Sequence, residues 1–520
     1  MRSNHRAICA GAFLGACLLI CLPNAPAQPP AAPSSRPTPQ TPAGMIRDRW
    51  GIRDPALVKT RQQMEASLPN PVYDENPDLV DIYWAAWHFH GIKVRVREPS
   101  AGDRLVERFA DAAYNSNLFL WDTSFVIMYS KHGWDSYLFT VVSLNNFYMN
   151  PGEGKEAGLL AHELNPFGRW GSGPAPNVIG WAEWEHYLLT GDKERLRYAL
   201  PHLVKHFHAF KKRVSRGGLD YGGIGKGVEG PCWVAWGHNW PRRSQVDTAA
   251  QQAHAAGTIA DMAEAIGDAA LAREFRQHAL EHNRHIAAAN WNEATGFFHH
   301  QLIEGGFHPP FQIMGFYPML SGAASPQQAA VMIRHLYDPL RFEKDLPVPT
   351  TAVCDKRLLD PRAERKAPDR LELRDRTIHS GGYWTGGVWA PTNWIIIRGL
   401  ERNGYHAGAR DIVDRYLANM RGVYRGKPGV MSKTGFPRVF PERHDGPRRP
   451  LDGSDALHVW DGAEFTGWTG LLPISGLIEH LIGIQANAPA NEVVWRPQSL
   501  ERHGMIRLRF GQVTADVMMA

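Results

Sequence analysis

The sequence predicts an all-α fold: a toroid of helical hairpins finished by a few short C-terminal β-strands. Three observations lead there. First, apolar-periodic segments repeatedly stop at a glycine: SFVIMYSKHG at Gly133, VIGWAEWEHYLLTG at Gly191, TAAQQAHAAGTIADMAEAIG at Gly267, WIIIRGLERNG at Gly404 and LPISGLIEHLIG at Gly483. A helical period ended by glycine is the signature of a helix and its C-terminal cap. Second, each of these segments begins beside a polar or aromatic loop: NLFLWDT, GSGPAPN, SQVDT, WAPTN and FTGWTG. Helices entered from chemically rich loops alternate with plainer ones, so the working loops gather at one end. Third, the period changes near the C-terminus, where VVW, MIRLRF and VTADV alternate in the β manner with Gly504 and Gly511 as turns. Periodicity leaves the number of hairpins open.

Taken in order, residues 1–27 read as an export signal. MRSNHR is a short basic region, and AICAGAFLGACLLICL is an apolar run too short to span a bilayer stably. Small residues then lead to a cut after Ala27, leaving Gln28 as the mature N-terminus and the protein periplasmic or secreted. The rival is lipid attachment at Cys17, within Leu14-Gly15-Ala16-Cys17. The apolar run continues past Cys17, which favours ordinary cleavage. Of the five cysteines, Cys9, Cys17 and Cys21 leave with the signal, and Cys232 and Cys354 remain as a potential pair. Residues 28–44, rich in Pro, Ala, Ser and Thr, lack the apolar bulk to offset their ordering entropy and read as a disordered leader. Residues 45–485 form the helical domain, with an entry helix around Tyr83–His88, and residues 486–520 the β-rich C-terminal segment. No later stretch predicts a membrane span.

The chain is 520 residues long, enough for a large core. It is 43% hydrophobic and 21% charged, as in ordinary globular proteins. The formal charge of +5 is small for this length, and no Lys/Arg block points to nucleic acid. Eighteen tryptophans suit stacking on carbohydrate, although a large helical core uses tryptophan too. Oligomeric state is open.

The most informative stretch runs from His379 to Tyr405, HSGGYWTGGVWAPTNWIIIRGLERNGY. Glycines and a proline make a bent, backbone-exposed loop that carries the flat faces of Trp384 and Trp389 into a helix. Such a loop suits a sugar ring, which needs an aromatic face below it and polar groups around its rim; a packed turn with buried tryptophans is the plainer alternative. YWTGGVWAPTN resembles the Y-W-x-G-x-V-W-x-P-x-N segment of glycoside hydrolase family 63 and its relatives. Those include the mannosylglycerate-hydrolase-like proteins and, more distantly, the family 37 trehalases. The resemblance covers most of the chain from about Asn115 to Gly483. It implies an (α/α)6 barrel, a carbohydrate substrate, and sugar contacts from His379, Trp384 and Trp389.

Other segments extend it. Asn117–Phe125, NLFLWDTSF, resembles the family's F-x-W-D-x-x-F, where the Trp-Asp pair lies in the sugar subsite. This implies that Asp122 accepts hydroxyl hydrogen bonds while Trp121 forms a wall, although an Asp here also suits helix capping. Before the helix ending in Thr190-Gly191-Asp192, the family's Gln-Pro-Pro is replaced by Gly173-Pro174-Ala175-Pro176, a departure that bears on which sugar is bound. Gly227-Val228-Glu229-Gly230-Pro231 falls where relatives carry G-M-D-N-x-P, which places Glu229 at the general acid. Asp220, in GGLDYGG, is the alternative acid; without the resemblance either reads as a solvated loop carboxylate. Asp247 reads as the N-cap of its helix. Glu442 falls at the general base, ahead of Glu464-Phe465-Thr466-Gly467-Trp468-Thr469-Gly470, which matches the family's F-x-G-W-x-G and adds Trp468 to the sugar contacts. Here His444 replaces a usual tyrosine, and Asp461 and Glu464 are rival carboxylates.

Two carboxylates in these roles make an inverting pair, set roughly 6.5–9.5 Å apart. No nucleotide loop, metal-ligand spacing or G-x-S-x-G elbow competes, so the expected cofactor is none and the expected metal none. The reading is an exported glycoside hydrolase acting on an α-linked di- or oligosaccharide. Two rivals stand beside it. One is a sugar-binding relative without catalysis, for which the Asp-to-Glu change at the acid argues. The other is a toroidal polysaccharide lyase or sugar epimerase, which would need a Tyr/His pair or a uronate-neutralising Asn/Arg set that no segment supplies.

Overall fold

The computed structural model describes residues 43–48, 51–95, 108–110, 117–136, 141–165, 170–215, 218–222, 242–309, 311–339, 341–342, 347–352, 388–425, 467–497 and 499–519. Residues 41–520 form one compact unit. The fold is mostly helical: α1 (Arg61–Ser67), α2 (Pro77–Lys93), α3 (Leu120–Ser130), α4 (Asn145–Tyr148), α5 (Ile179–Thr190), α6 (Lys193–Val214), α7 (Val246–Ile266), α8 (Ala269–Ala289), α9 (Tyr317–Ser321), α10 (Pro326–Leu336), α11 (Ala390–Arg402), α12 (His406–Arg425) and α13 (Leu472–Ile482), the last wound as a π-helix.

The hairpins are made by a recurring two-residue device. Helix α5 ends at Gly191, whose φ of +73° suits a residue without Cβ, and whose N–H donates to the Tyr187 carbonyl at 2.7 Å. The next residue, Asp192, caps α6 by accepting from the Arg195 N–H at 2.9 Å. Gly267 and Asp268 repeat this between α7 and α8, with φ +89° and a 3.0 Å bond from the Leu271 N–H. One residue stops a helix and its neighbour starts the next, so the chain reverses within a turn.

Burial separates inner from outer helices. All eleven residues of α3 are buried, as are all eleven of α13. Helix α8 buries only Ala272, Phe275, His282 and Ile286 of its 21. The inner helices touch in sequence: α3 packs on α5, α5 on α7, α7 on α9, α9 on α11, and α11 on the 3-10 turn Gly467–Gly470, which packs back on α3. Outside them α6 lies on α5 and α7, α8 on α7 and α9, α12 on α11 and α13, and α2 on α13. Tyr129 joins three of these pieces. Its hydroxyl meets His90 Nδ1 of α2 at 2.9 Å and donates to the Gly467 carbonyl at 3.0 Å. Gly470 faces the same ring so closely that a Cβ there would lie 2.7 Å from it.

The C-terminal segment is strand, as its period predicts. Ile484–Asn487 pairs antiparallel with Glu492–Trp495, and His503–Phe510 with Val513–Met519. His503–Phe510 also pairs with Asn70–Tyr73, which joins the two ends of the compact unit. Gly511 sits in the turn, but Gly504 lies inside a strand rather than at a turn. Gly133 also departs from expectation. Helix α3 ends at Ser130 and tightens into a 3-10 turn, Lys131–Gly133, and Gly133 takes no left-handed conformation. Space favours glycine there, since a Cβ would sit 3.1 Å from Leu68, Ser136 and Trp87. Among the described residues, no helix is long and apolar enough to cross a membrane.

Candidate active site

Three of the sequence-predicted aromatic residues come together where inner helices begin. Trp121 is in the first turn of α3, Trp389 precedes α11 as its N-cap, and Trp468 lies in the turn before α13. Trp468 is the centre: its ring lies 5.7 Å from Trp121 at 83° and 5.8 Å from Trp389 at 70°. Both are edge-to-face arrangements, the geometry that the ring quadrupole favours. Trp121 donates its indole N–H to Gln251 Oε1 of α7 at 3.2 Å, and Gln251 Nε2 donates to the Asp247 carbonyl at 3.3 Å. Val246-Asp247-Thr248-Ala249-Ala250-Gln251 resembles the V-D-x-x-x-Q of relatives, but the sequence assigns Gln251 no role.

Asp122 and Asp247 both occupy the first turns of their helices, 2% and 0% exposed. There the partial positive charge of the helix N-terminus favours a carboxylate. Neither is the N-cap. That place belongs to Phe119 in α3, which leaves a short strand paired with Ala161–Leu164, and to Gln245 in α7. The capping expectation for both residues is corrected accordingly. Asp247 Oδ1 lies 3.9 Å from His300 Nδ1, and that nitrogen accepts from the Val246 N–H at 3.1 Å. A neutral His300 assigned from this bond carries its proton on Nε2.

Asn393, the asparagine of the W-x-P-x-N pattern, is a bridge. Its Oδ1 accepts from the Val348 N–H at 2.9 Å, and its Nδ2 donates to the carbonyls of Val348 and Trp389, each at 2.9 Å. It thus satisfies both backbone groups of a non-helical residue and fixes that segment to the start of α11.

Asp220 precedes Tyr221, whose carbonyl accepts from the Gln245 N–H at the start of α7 at 2.9 Å. Its carboxylate accepts from Arg243 Nε and His285 Nε2, both at 2.7 Å, with His285 on the outer helix α8. Glu229, Glu442, His379 and Trp384, like Cys232, Cys354, His444, Asp461 and Glu464, fall outside the described residues.

The opposite ends of the inner helices carry a buried ionic cluster that sequence reading missed. Lys131 Nζ meets Glu185 at 2.7 Å and Glu479 at 2.9 Å. Arg398 reaches Glu185 and Glu401 at 2.9 Å and Glu479 at 3.3 Å. His132 Nε2 lies 3.1 Å from Glu479. Burial works against the charge on Glu479, but Lys131, the His132 hydrogen bond and Arg398 outweigh it and hold the carboxyl well below its usual range. Burial lowers His132, which stays neutral and donates. A cavity of about 220 Å³ adjoins the cluster, closed partly by the Ile484–Asn487 and Glu492–Trp495 strands. The group ties α3, α5, α11 and α13 together at the end away from the tryptophans.

Comparison with known proteins identifies the family. The mannosylglycerate hydrolase MGH1-like glycoside hydrolase domain matches residues 170–432, just over half of the 520-residue chain. An uncharacterized protein of Borreliella burgdorferi is 25% identical over 343 residues, covering 65% of this chain and 66% of that one. Mannosylglycerate hydrolase MGH1 of Selaginella moellendorffii is 33% identical over 103 residues, covering 20% of this chain and 17% of that one. The match therefore spans just under two-thirds of the first relative and about a sixth of the second. In fold, the GH63 mannosylglycerate hydrolase of Thermus thermophilus, solved with Tris and D-glycerate, superposes with a TM-score of 0.52 at 14% identity, covering 75% of this chain and 99% of that one. The chain belongs to the mannosylglycerate hydrolase MGH1-like glycoside hydrolase family.

Proposed function

We propose that this protein is a glycosidase that cleaves an α-linked di- or oligosaccharide with inversion, in an (α/α)6 barrel, outside the cytoplasm after loss of residues 1–27. The circular order of α3, α5, α7, α9, α11 and the 467–482 segment supports six hairpins. The observation that carries the reading is the meeting of Trp121, Trp389 and Trp468 where helices begin, with Asp122 next in the chain to Trp121. Indole faces suit the C–H face of a sugar, and a first-turn carboxylate suits its hydroxyls; with Trp121 and Trp389 0% and Trp468 2% exposed, the three rings form the packed floor of such a site rather than open faces.

In this mechanism Glu229 protonates the glycosidic oxygen while Glu442 takes a proton from water on the opposite face of the ring. The water oxygen bonds to the anomeric carbon as the leaving oxygen departs, and the configuration inverts. Asp220 suits the acid's role less well, because both its oxygens are committed to Arg243 and His285. To deliver a proton it would have to surrender one of these bonds. The test is a panel of α-linked disaccharides and oligosaccharides, with mannosylglycerate included, incubated with the purified protein. Release of free sugar supports the reading. Binding without turnover would favour the non-catalytic relative, and an unsaturated product would favour a lyase.

A further inference from the structure

We propose that His208, Glu274 and His278 form a divalent transition-metal site, suited by its donor set to Zn2+, that clasps the outer helices α6 and α8. Glu274 and His278 stand one turn apart on α8, a spacing that puts both on one helix face. His208 comes from the neighbouring helix α6, its ring 5.6 Å from that of His278. Their donor atoms lie within 4.8 Å of one another.

The separations distinguish this group from ordinary ion pairs. His208 Nε2 lies 3.7 Å and His278 Nε2 3.8 Å from the same oxygen, Glu274 Oε1. Both are too long for hydrogen bonds. Three donors thus converge without touching. Tetrahedral ligands at about 2.1 Å from zinc stand about 3.4 Å apart. Each histidine must close a few tenths of an ångström on Glu274, and the two histidines at most about 1.4 Å on each other, which is within reach of side chains 46%, 52% and 22% exposed for His208, Glu274 and His278.

The imidazoles are also held in place. Phe275 packs edge-on against both, 5.6 Å from His208 and 5.4 Å from His278. The other nitrogen of His278, Nδ1, is buried without a hydrogen-bond partner, and Glu281 Oε2 stands 3.8 Å from it. Metal on Nε2 puts the proton on Nδ1, facing that carboxylate, which is the outer support that zinc-bound histidines use. Two histidines and a glutamate leave a fourth position open to water. His208 and Glu274 are 66 positions apart in the chain, so no linear spacing advertises the site.

The test is calorimetric titration of Zn2+ into the full, chelator-washed protein carrying no polyhistidine tag, beside H208A and E274A, each checked for native circular dichroism. One equivalent bound at micromolar affinity, weakened at least tenfold in both variants, is the expected result. The melting temperature should rise with Zn2+ in the parent and stay fixed in H208A. Absence of binding at millimolar Zn2+, or equal affinity in the parent and both variants, overturns the proposal.

Discussion

Replacing Lys131 with methionine tests how the far end of the helical ring is held. Lys131 is 6% exposed and contacts Glu185 and Glu479 at 2.7 and 2.9 Å. Methionine roughly keeps the volume and removes the charge. Arg398 is then left as the strong cation facing Glu185, Glu479 and Glu401. Breaking one side of a buried ion pair costs about 3–5 kcal/mol. Unfolding entropy of about 2.1 cal/mol/K per residue gives roughly 1 kcal/mol/K for a chain of 520 residues. Tm should therefore fall by about 3–5 °C. The pH dependence has a defined sign. The Glu479 carboxyl is depressed in the folded protein, so its contribution is present above the unfolded value of about 4.3 and is lost as pH falls through the folded value. Without Lys131, burial is opposed less, the variant's carboxyls take up protons at higher pH, and the penalty is relieved in acid. The Tm gap between parent and variant should be widest near neutrality and narrow toward pH 4, as followed by scanning calorimetry at matched ionic strength. A gap below about 1 °C at neutral pH, or one unchanged in acid, would refute the reasoning.

Three further outcomes follow from the proposed site and from the predicted signal. Trp389→Ala empties a fully buried indole position and should lower stability by about 3–5 kcal/mol, while the fraction still folded loses at least tenfold in sugar affinity. Normal affinity in that fraction would make Trp389 a core residue only. Glu229→Gln should be nearly inactive on ordinary glycosides yet keep more activity on a substrate whose leaving group is already acidic, because such a group departs unprotonated. Intact kcat in Glu229→Gln together with loss in Asp220→Asn would transfer the acid to Asp220. Intact mass of the exported protein should begin at Gln28, and a diacylglycerol-modified Cys17 would instead make it a lipoprotein.

The helical hairpins were legible because their signals are local. A period of 3.6, a glycine and an aspartate at Thr190-Gly191-Asp192 suffice to end one helix and begin another. The same local rules failed where tertiary geometry chose differently. Gly133 is favoured by the close side chains of Leu68, Ser136 and Trp87 rather than by its backbone conformation. Asp122 and Asp247 sit inside their helices because the preceding segments enter the helix earlier than a capping pattern suggests. At the candidate site, Trp121, Trp389 and Trp468 were readable as motif residues, and the structure brings their rings together. Gln251 matched a motif position but received no role, since its partner is not visible until Trp121 is seen to donate to it. The Lys131–Glu185–Arg398–Glu479 cluster was illegible for a different reason. Its members come from four helices and their ends, with His132 and Glu479 standing 347 positions apart, and each alone reads as an ordinary charged helix residue.

The most direct measurement of the central claim is proton NMR of the first product released from an α-linked substrate, recorded before mutarotation, for the parent protein and Glu442→Gln. The account predicts that the β-anomer appears first with the parent. It also predicts that Glu442→Gln, with unchanged circular dichroism, releases no product, since an amide cannot take the proton from water. An α-anomer appearing first, or hydrolysis at the parent rate by Glu442→Gln, would contradict it.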